Sequence, residues 1–281
     1  MDRRTFIGSV TAAALMSRLG WAAPEHRIEK IGLELYTVRD ALGKDFEGTL
    51  AQVAKIGYKE VEFAGYFAHL PDFNPLPKRT REILDADGLS APSTHVPYSA
   101  LAPENWARVI EASKILGHDY IVNPSIDREL LKQPDGWKRA AETFNRAGEE
   151  SQKAGIQFAY HNHVEEFKPT ADGKLPYDIL LTESDPKLVK MEMDLGWAHE
   201  ARVDPLKYFT QYPGRFPVVH VKDFDKSDTM TEVGSGVIDW KSIFAKADVA
   251  GIKHYFVEHD NPKSPFESIQ ASYAYLKDLR F

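Results

Sequence analysis

No cysteine occurs among the 281 residues, which excludes disulfides, thiolate metal ligands and a cysteine nucleophile. Nor is there an excess of positive charge. The formal net charge is −7, with 35 Lys and Arg against 42 Asp and Glu. A chain with that balance lacks the basic face that non-specific nucleic-acid binding requires. No apolar run reaches the roughly 20 residues of a membrane span. A glycine-rich phosphate loop is missing after the first apolar run, where Leu35-Tyr36-Thr37-Val38 stands instead. That argues against a dinucleotide-binding fold. Low-complexity linkers, a second domain and sequence repeats are also missing.

What is there begins with an export signal. Arg3-Arg4-Thr5-Phe6-Ile7 is a twin-arginine pair leading into an apolar stretch rich in Ala and Ser. Gly20-Trp21-Ala22 supplies small residues two apart, so residues 1–22 read as a twin-arginine signal peptide cleaved after Ala22. The expected location is periplasmic or otherwise exported. Asp2, Arg3, Arg4 and Arg18 give that segment a charge of +2, so the −7 of the whole chain becomes −9 without it.

Residues 23–281 form the expected domain. Strand-like segments at 31–36, 60–63, 89–95, 120–123, 156–161, 189–194, 218–222 and 254–258 alternate with helix-like segments. The helical segments are 46–56, 77–86, 103–116, 136–153, 177–182, 205–211, 239–247 and 265–279. Strict alternation implies parallel strands joined by helical crossovers. Eight units in about 250 residues predict an α/β fold of the (β/α)8 TIM-barrel type.

In such a barrel the strand C-termini carry the chemistry. Here they end in polar groups where a packed core would show Val or Leu. His161, Asp194, His220 and Glu258 close the last four strands, and two imidazoles with two carboxylates suit a divalent cation. Each has a bland reading too: a satisfied core histidine, a helix N-cap or a structural ion pair. Period-two alternation puts Glu192 with Asp194 on one face, His220 with Lys222, and His161 with His163. Either His161 or His163 could therefore face the ion, leaving the other to orient substrate. Lys222 is a candidate for stabilising an enolate oxygen, and Glu62, His95 and Asn123 are candidates for binding hydroxyls. Trp197 and Tyr36 are candidates for stacking on a sugar face.

The chain resembles the sugar phosphate isomerase/epimerase family, the xylose isomerase-like TIM barrels, over about residues 30–281. The resemblance rests on Gly32-Leu33-Glu34-Leu35-Tyr36-Thr37-Val38-Arg39, Gly57-Tyr58-Lys59-Glu60-Val61-Glu62 and His161-Asn162-His163. It rests equally on Asp194-Leu195-Gly196-Trp197, His220-Val221-Lys222-Asp223 and Glu258-His259. It implies one divalent ion (Mn, Co, Zn or Mg) held by side chains of strands five to eight, positions matched by His161, Asp194, His220 and Glu258. The family's ketose epimerases use a glutamate on strand five as ligand and base. This chain has His161 there, which puts a symmetrical two-glutamate mechanism in doubt. Inositol-ketone dehydratases and enzymes that eliminate from 3-keto-glycosides are the closer functional relatives that the resemblance implies.

The expected function is therefore a metal-dependent isomerase, epimerase or lyase acting on a small sugar or keto-glycoside. Glu258 or His163 would take the proton beside the carbonyl, and Lys222 would stabilise the enediolate. The competing readings are an exported sugar-binding barrel without catalysis and a metal-assisted hydrolase. Sugar identity, the outcome after proton removal and oligomeric state, including a homo-oligomer built on helix faces, stay open.

Overall fold

The computed structural model describes residues 26–65 and 77–281, so the signal expected at residues 1–22 lies outside the described residues. Eight parallel strands close into a barrel: β1 Ile31–Glu34, β2 Glu60–Phe63, β3 Ser90–His95, β4 Tyr120–Asn123, β5 Gln157–His161, β6 Val189–Asp194, β7 Val218–Val221 and β8 His254–Val257. Each pairs with the next in sequence, and β8 returns to β1. This is the architecture that the alternation predicts.

Local chemistry sets the element ends. Asp45 accepts a hydrogen bond from Gly48 N and caps the helix Phe46–Ile56, which stops at Gly57 with φ +129°. The helix Gly136–Lys153 buries Ala140, Ala141, Phe144, Ala147, Gly148 and Ser151, a stripe at three- and four-residue spacing. Gly148 lets this helix approach the carbonyl of Leu188, where a Cβ would overlap it. Inside the barrel, below the site, Tyr120, Val122, Ala159, Val218 and Phe256 form a separate apolar cluster. Gly32 pairs with Phe256 across β1 and β8, and its missing side chain leaves room for the Phe256 ring.

Four details depart from the expected pattern. β1 ends at Glu34 because the Glu34 carboxylate accepts from Tyr36 N at 3.3 Å and turns the chain into a 3-10 segment, Leu35–Val38. Asp194 caps an additional helix, Leu195–Glu200, by accepting from Trp197 N at 2.8 Å. Asp239 caps the helix expected at 239–247, but that helix is divided into Trp240–Phe244 and Ala247–Ala250. After β7 a short antiparallel ribbon pairs Asp223–Phe224 with Met230–Thr231. The buried Asp223 carboxylate organises this excursion by accepting from Phe224 N, Gly234 N, Ile238 N and Trp240 Nε1.

One buried group outside the site makes stability depend on pH. His118 packs beside Phe63, with Nδ1 3.2 Å from Ser113 Oγ. Burial, helped by Arg81, lowers its pKa from 6.5 to about 3. The unfolded chain takes up that proton near the ordinary histidine value, whereas the folded chain refuses it until far lower pH. Stability is thus unaffected above the ordinary value and falls below it, by up to about 1.4 kcal/mol per pH unit. Urea melts of His118→Gln should show a shallower loss between about pH 6 and 4 than wild type. Parallel slopes would refute the assignment.

Candidate active site

A cavity of about 450 Å³ opens at the C-terminal end of the barrel, lined among others by Glu34, Tyr36, His95, His161, His163, Trp197, Lys222, Glu258 and Asp260. Strand register builds its floor. His161 lies opposite Glu192, and Asp194 opposite His220, so all four side chains turn to the barrel interior.

Asp194, His220 and Glu258 offer ligand atoms that all lie within 4.8 Å of one another. His220 Nδ1 is 2.8 Å from Glu258 Oε2 and 3.8 Å from Asp194 Oδ2. His161 Nε2 reaches the same Asp194 oxygen at 3.9 Å. Three of the four residues expected as metal ligands share this group, while His161 belongs to a second one with His95, Glu192 and His220; His161 and Glu258 line the cavity, and Asp194 and His220 are fully buried just beneath it. Asp194 Oδ2 is buried and has no partner in hydrogen-bond geometry, although Lys222 Nζ lies 3.0 Å from it. His163 sits further out, its ring 4.8 Å from that of His161 and 6.3 Å from that of Trp197.

A charge count tests the fit of a cation. Glu34, Glu62, Glu192, Asp194, Glu258 and Asp260 converge on this end of the barrel. Among the described residues Lys222 is the permanent cation in contact with them. Its ammonium lies 3.0 Å from Asp194, 2.8 Å from Glu258 and 2.9 Å from Asp260. It also sits 4.8 Å from the centre of the Trp197 ring. One ammonium cannot balance so many buried acids. The remainder must be protonated, paired with imidazolium or bound to a cation. Two imidazole nitrogens and two carboxylate oxygens fit a Zn-, Mn- or Co-type ion.

The titrating groups divide accordingly. Burial, with Glu62 and Glu258 nearby, raises the Glu34 carboxyl well above its ordinary value, so it keeps its proton. Burial opposes charge on Glu258, but Lys222 and His220 outweigh it and hold the group well below the carboxylate range. Burial opposes charge on His220 as well. Glu192, Glu62 and Glu258 prevail, so without an ion it is an imidazolium facing carboxylates from both ring nitrogens. Burial lowers both His161 and His163, leaving neutral rings with a free lone pair.

Two expected substrate contacts are corrected by depth. Glu62 is fully buried beneath the cavity, accepting from Ser93 Oγ and lying 2.6 Å from His220 Nε2. Its carboxylate faces His220 and does not line the cavity. Asn123 is also fully buried, and its Nδ2 donates to Val96 O at 2.8 Å. Pro124 and Ser125 line the cavity in its place. Tyr36, His95 and Trp197 do line it. Tyr36 is 41% exposed at the mouth, with the Arg39 guanidinium 4.0 Å from its ring centre. Lys222 differs from expectation too. Three carboxylates surround its ammonium, so its positive charge is engaged by them.

Glu192 and Asp260 were not singled out from the sequence. Glu192 had the signal of sharing a face with Asp194; Asp260 had only its place two residues beyond Glu258. The motifs also contain purely structural members. Asn162 accepts from Asp194 N at 3.1 Å and so ties the end of β5 to that of β6. Glu166 accepts from Tyr160 Oη at 2.6 Å and from His163 N at 2.7 Å, fixing the loop that carries His163.

This chain is 25% identical to the inosose dehydratase of Lacticaseibacillus casei, over 84% of this chain and 90% of that protein. A sugar phosphate isomerase/epimerase from Parabacteroides distasonis superposes with a TM-score of 0.79 and 30% identity, covering 92% of this chain and 99% of that one. The IOLI protein, solved with a zinc atom, shares the fold at a TM-score of 0.64 and 16% identity, over 87% of this chain and 95% of that one. The family model described as xylose isomerase-like TIM barrel matches residues 50–279, and the chain belongs to that family.

Proposed function

We propose that this barrel is a divalent-metal lyase or isomerase that removes the proton beside the carbonyl of an uncharged keto-sugar. The observation that carries the reading is the meeting of Asp194, His220 and Glu258 at the cavity's buried base, where Lys222 is the one permanent cation in contact with them among the described residues. The inosose dehydratase and sugar isomerase/epimerase relatives support a sugar as substrate. Asp194, His220, Glu258 and His161 would hold the ion, which when bound would polarise the substrate carbonyl and acidify the neighbouring C–H.

The remaining work falls to the chain's own groups. His163 is the better base. It is neutral and lines the cavity, whereas Glu258 is already engaged by Lys222 and His220 and is too weakly basic. His163 takes the proton from carbon, and the electron pair of the broken C–H bond moves toward the carbonyl oxygen. Return of the proton at another carbon or face gives an isomer or epimer. Expulsion of a β-oxygen, which leaves with the C–O bonding pair and a proton from an acid such as Glu34, gives the elimination product. Trp197 and Tyr36 flank the cavity and pack on the sugar ring.

Charge argues for a neutral substrate. The described cavity residues include Glu258 and Asp260, while Lys222 is surrounded by carboxylates. Among the described residues that line the cavity, Lys222 is the one Lys or Arg, and its charge is engaged by carboxylates. Incubating the Mn²⁺-, Co²⁺- or Zn²⁺-loaded protein with inososes and 3-keto-glycosides in D₂O should give deuterium beside the carbonyl or release of a β-substituent. Tight sugar binding without exchange or release would instead favour a binding barrel. Residues 1–22 are proposed to export the protein by the twin-arginine route; a reporter fused behind them that stays in the cytoplasm would refute this.

A further inference from the structure

Beneath the metal-binding residues lies a carboxylate that joins three histidines from three different strands. Glu192 is fully buried on β6. Its Oε2 is 2.7 Å from His95 Nε2 on β3 and 3.2 Å from His161 Nδ1 on β5. Its Oε1 lies 3.2 Å from His220 Nε2 on β7. A carboxylate oxygen only accepts, so the His161 nitrogen that faces it must carry the hydrogen. In a neutral imidazole the other nitrogen then holds the lone pair. That nitrogen, Nε2, is the one facing Asp194 Oδ2 at 3.9 Å.

We propose that Glu192 is a positioning residue. Its carboxylate holds the His161 ring with Nδ1–H turned into the barrel and Nε2 turned toward Asp194, so the ligand lone pair is aimed before an ion arrives. The inference rests on the metal-centre reading above. Three features favour positioning over ordinary core pairing. The acceptor sits on the neighbouring strand directly opposite His161, so its height is set by the barrel ladder. It also binds His95, whose ring lies 5.0 Å from that of His161 and stacks on His220 at 5.3 Å. The network therefore fixes ring planes as well as protons. Finally, Glu62 stands in the same relation to His220, at 2.6 Å from Nε2, leaving Nδ1 toward Asp194 and Glu258. Each candidate histidine ligand thus has a carboxylate behind the nitrogen that faces away from Asp194, the arrangement that sets tautomer and basicity in metal sites.

The test uses two variants and two readouts. Glu192→Gln keeps an accepting oxygen of similar shape; Glu192→Leu removes it. ¹⁵N NMR of histidine-labelled protein, assigned with a His161→Gln control, reads the tautomer without metal. Chelator competition reads Zn²⁺ and Mn²⁺ affinity. Wild type should show His161 with the hydrogen on Nδ1. Glu192→Leu should lose that preference and bind metal about 10–100-fold more weakly. Glu192→Gln should keep the tautomer and lose less than about tenfold in affinity. A wild-type His161 carrying its hydrogen on Nε2 would overturn the proposal, as would a Glu192→Gln variant that loses the tautomer no less than Glu192→Leu, or a folded Glu192→Leu variant with unchanged affinity. If Glu192→Leu fails to fold, the Gln variant and the wild-type tautomer still decide. Wild type that binds no metal refutes the metal centre instead, while the tautomer continues to report on Glu192.

Discussion

The Asp194→Ala, His220→Ala double variant should fold, lose metal and lose turnover by at least about 10³-fold. The size follows from the chemistry. A bound ion that stabilises charge developing on the carbonyl oxygen is worth several kcal/mol, and each 1.36 kcal/mol is tenfold in rate. The two residues contribute the centre of the cluster. Asp194 Oδ2 lies within 3.9 Å of His161, His220 and Lys222, and His220 Nδ1 joins Glu258. Asp194→Ala removes a buried negative charge and His220→Ala a buried positive one, so the double variant leaves the net charge of this region unchanged, and circular dichroism checks that it folds. Metal analysis beside wild type is the check. About one equivalent in wild type and none in the variant is expected; equal metal in both would move the site elsewhere.

Lys222→Met should destabilise the metal-free protein by about 3–5 kcal/mol, the cost of leaving buried partners of an ion pair uncompensated. Lys222 is 1% exposed, and burial alone would drive its proton off. Asp194, Glu258 and Asp260 outweigh that and raise its pKa well above the ordinary lysine value. Without the ammonium those carboxylates face one another. A divalent ion restores part of the lost positive charge, so adding Zn²⁺ or Mn²⁺ should recover more stability in the variant than in wild type. Denaturant melts with and without metal measure this. A loss below about 1 kcal/mol, typical of an exposed pair, would show that solvent screens the cluster.

Much of this protein is legible before folding because its signals are local. Strand and helix alternation reveals the barrel, and polar residues after apolar runs mark the end where its cavity opens. Asp194, His220 and Glu258 follow that rule and cluster there, with His161 beside them 3.9 Å from Asp194. The rule weakens where depth matters. Glu62 and Asn123 also end strands, yet both lie below the cavity. The height of a strand end depends on barrel shear and local register, such as the shift between Glu60 and Glu62 where β2 meets β3. Glu192 shows the opposite failure. Its inward face was readable from alternation, but a glutamate one residue pair below the rim looks like any interior polar group until its three histidines are seen.

Sequence by itself determined which side chains point inward, because side-chain direction in a strand alternates with each residue. It also determined the donor set, since no cysteine was available. Only the tertiary structure decided how high each group stands and which nitrogen of each histidine faces which carboxylate. Those depend on the stagger of strands far apart in sequence, as His220 and Glu62 show, 158 residues apart and 2.6 Å from each other.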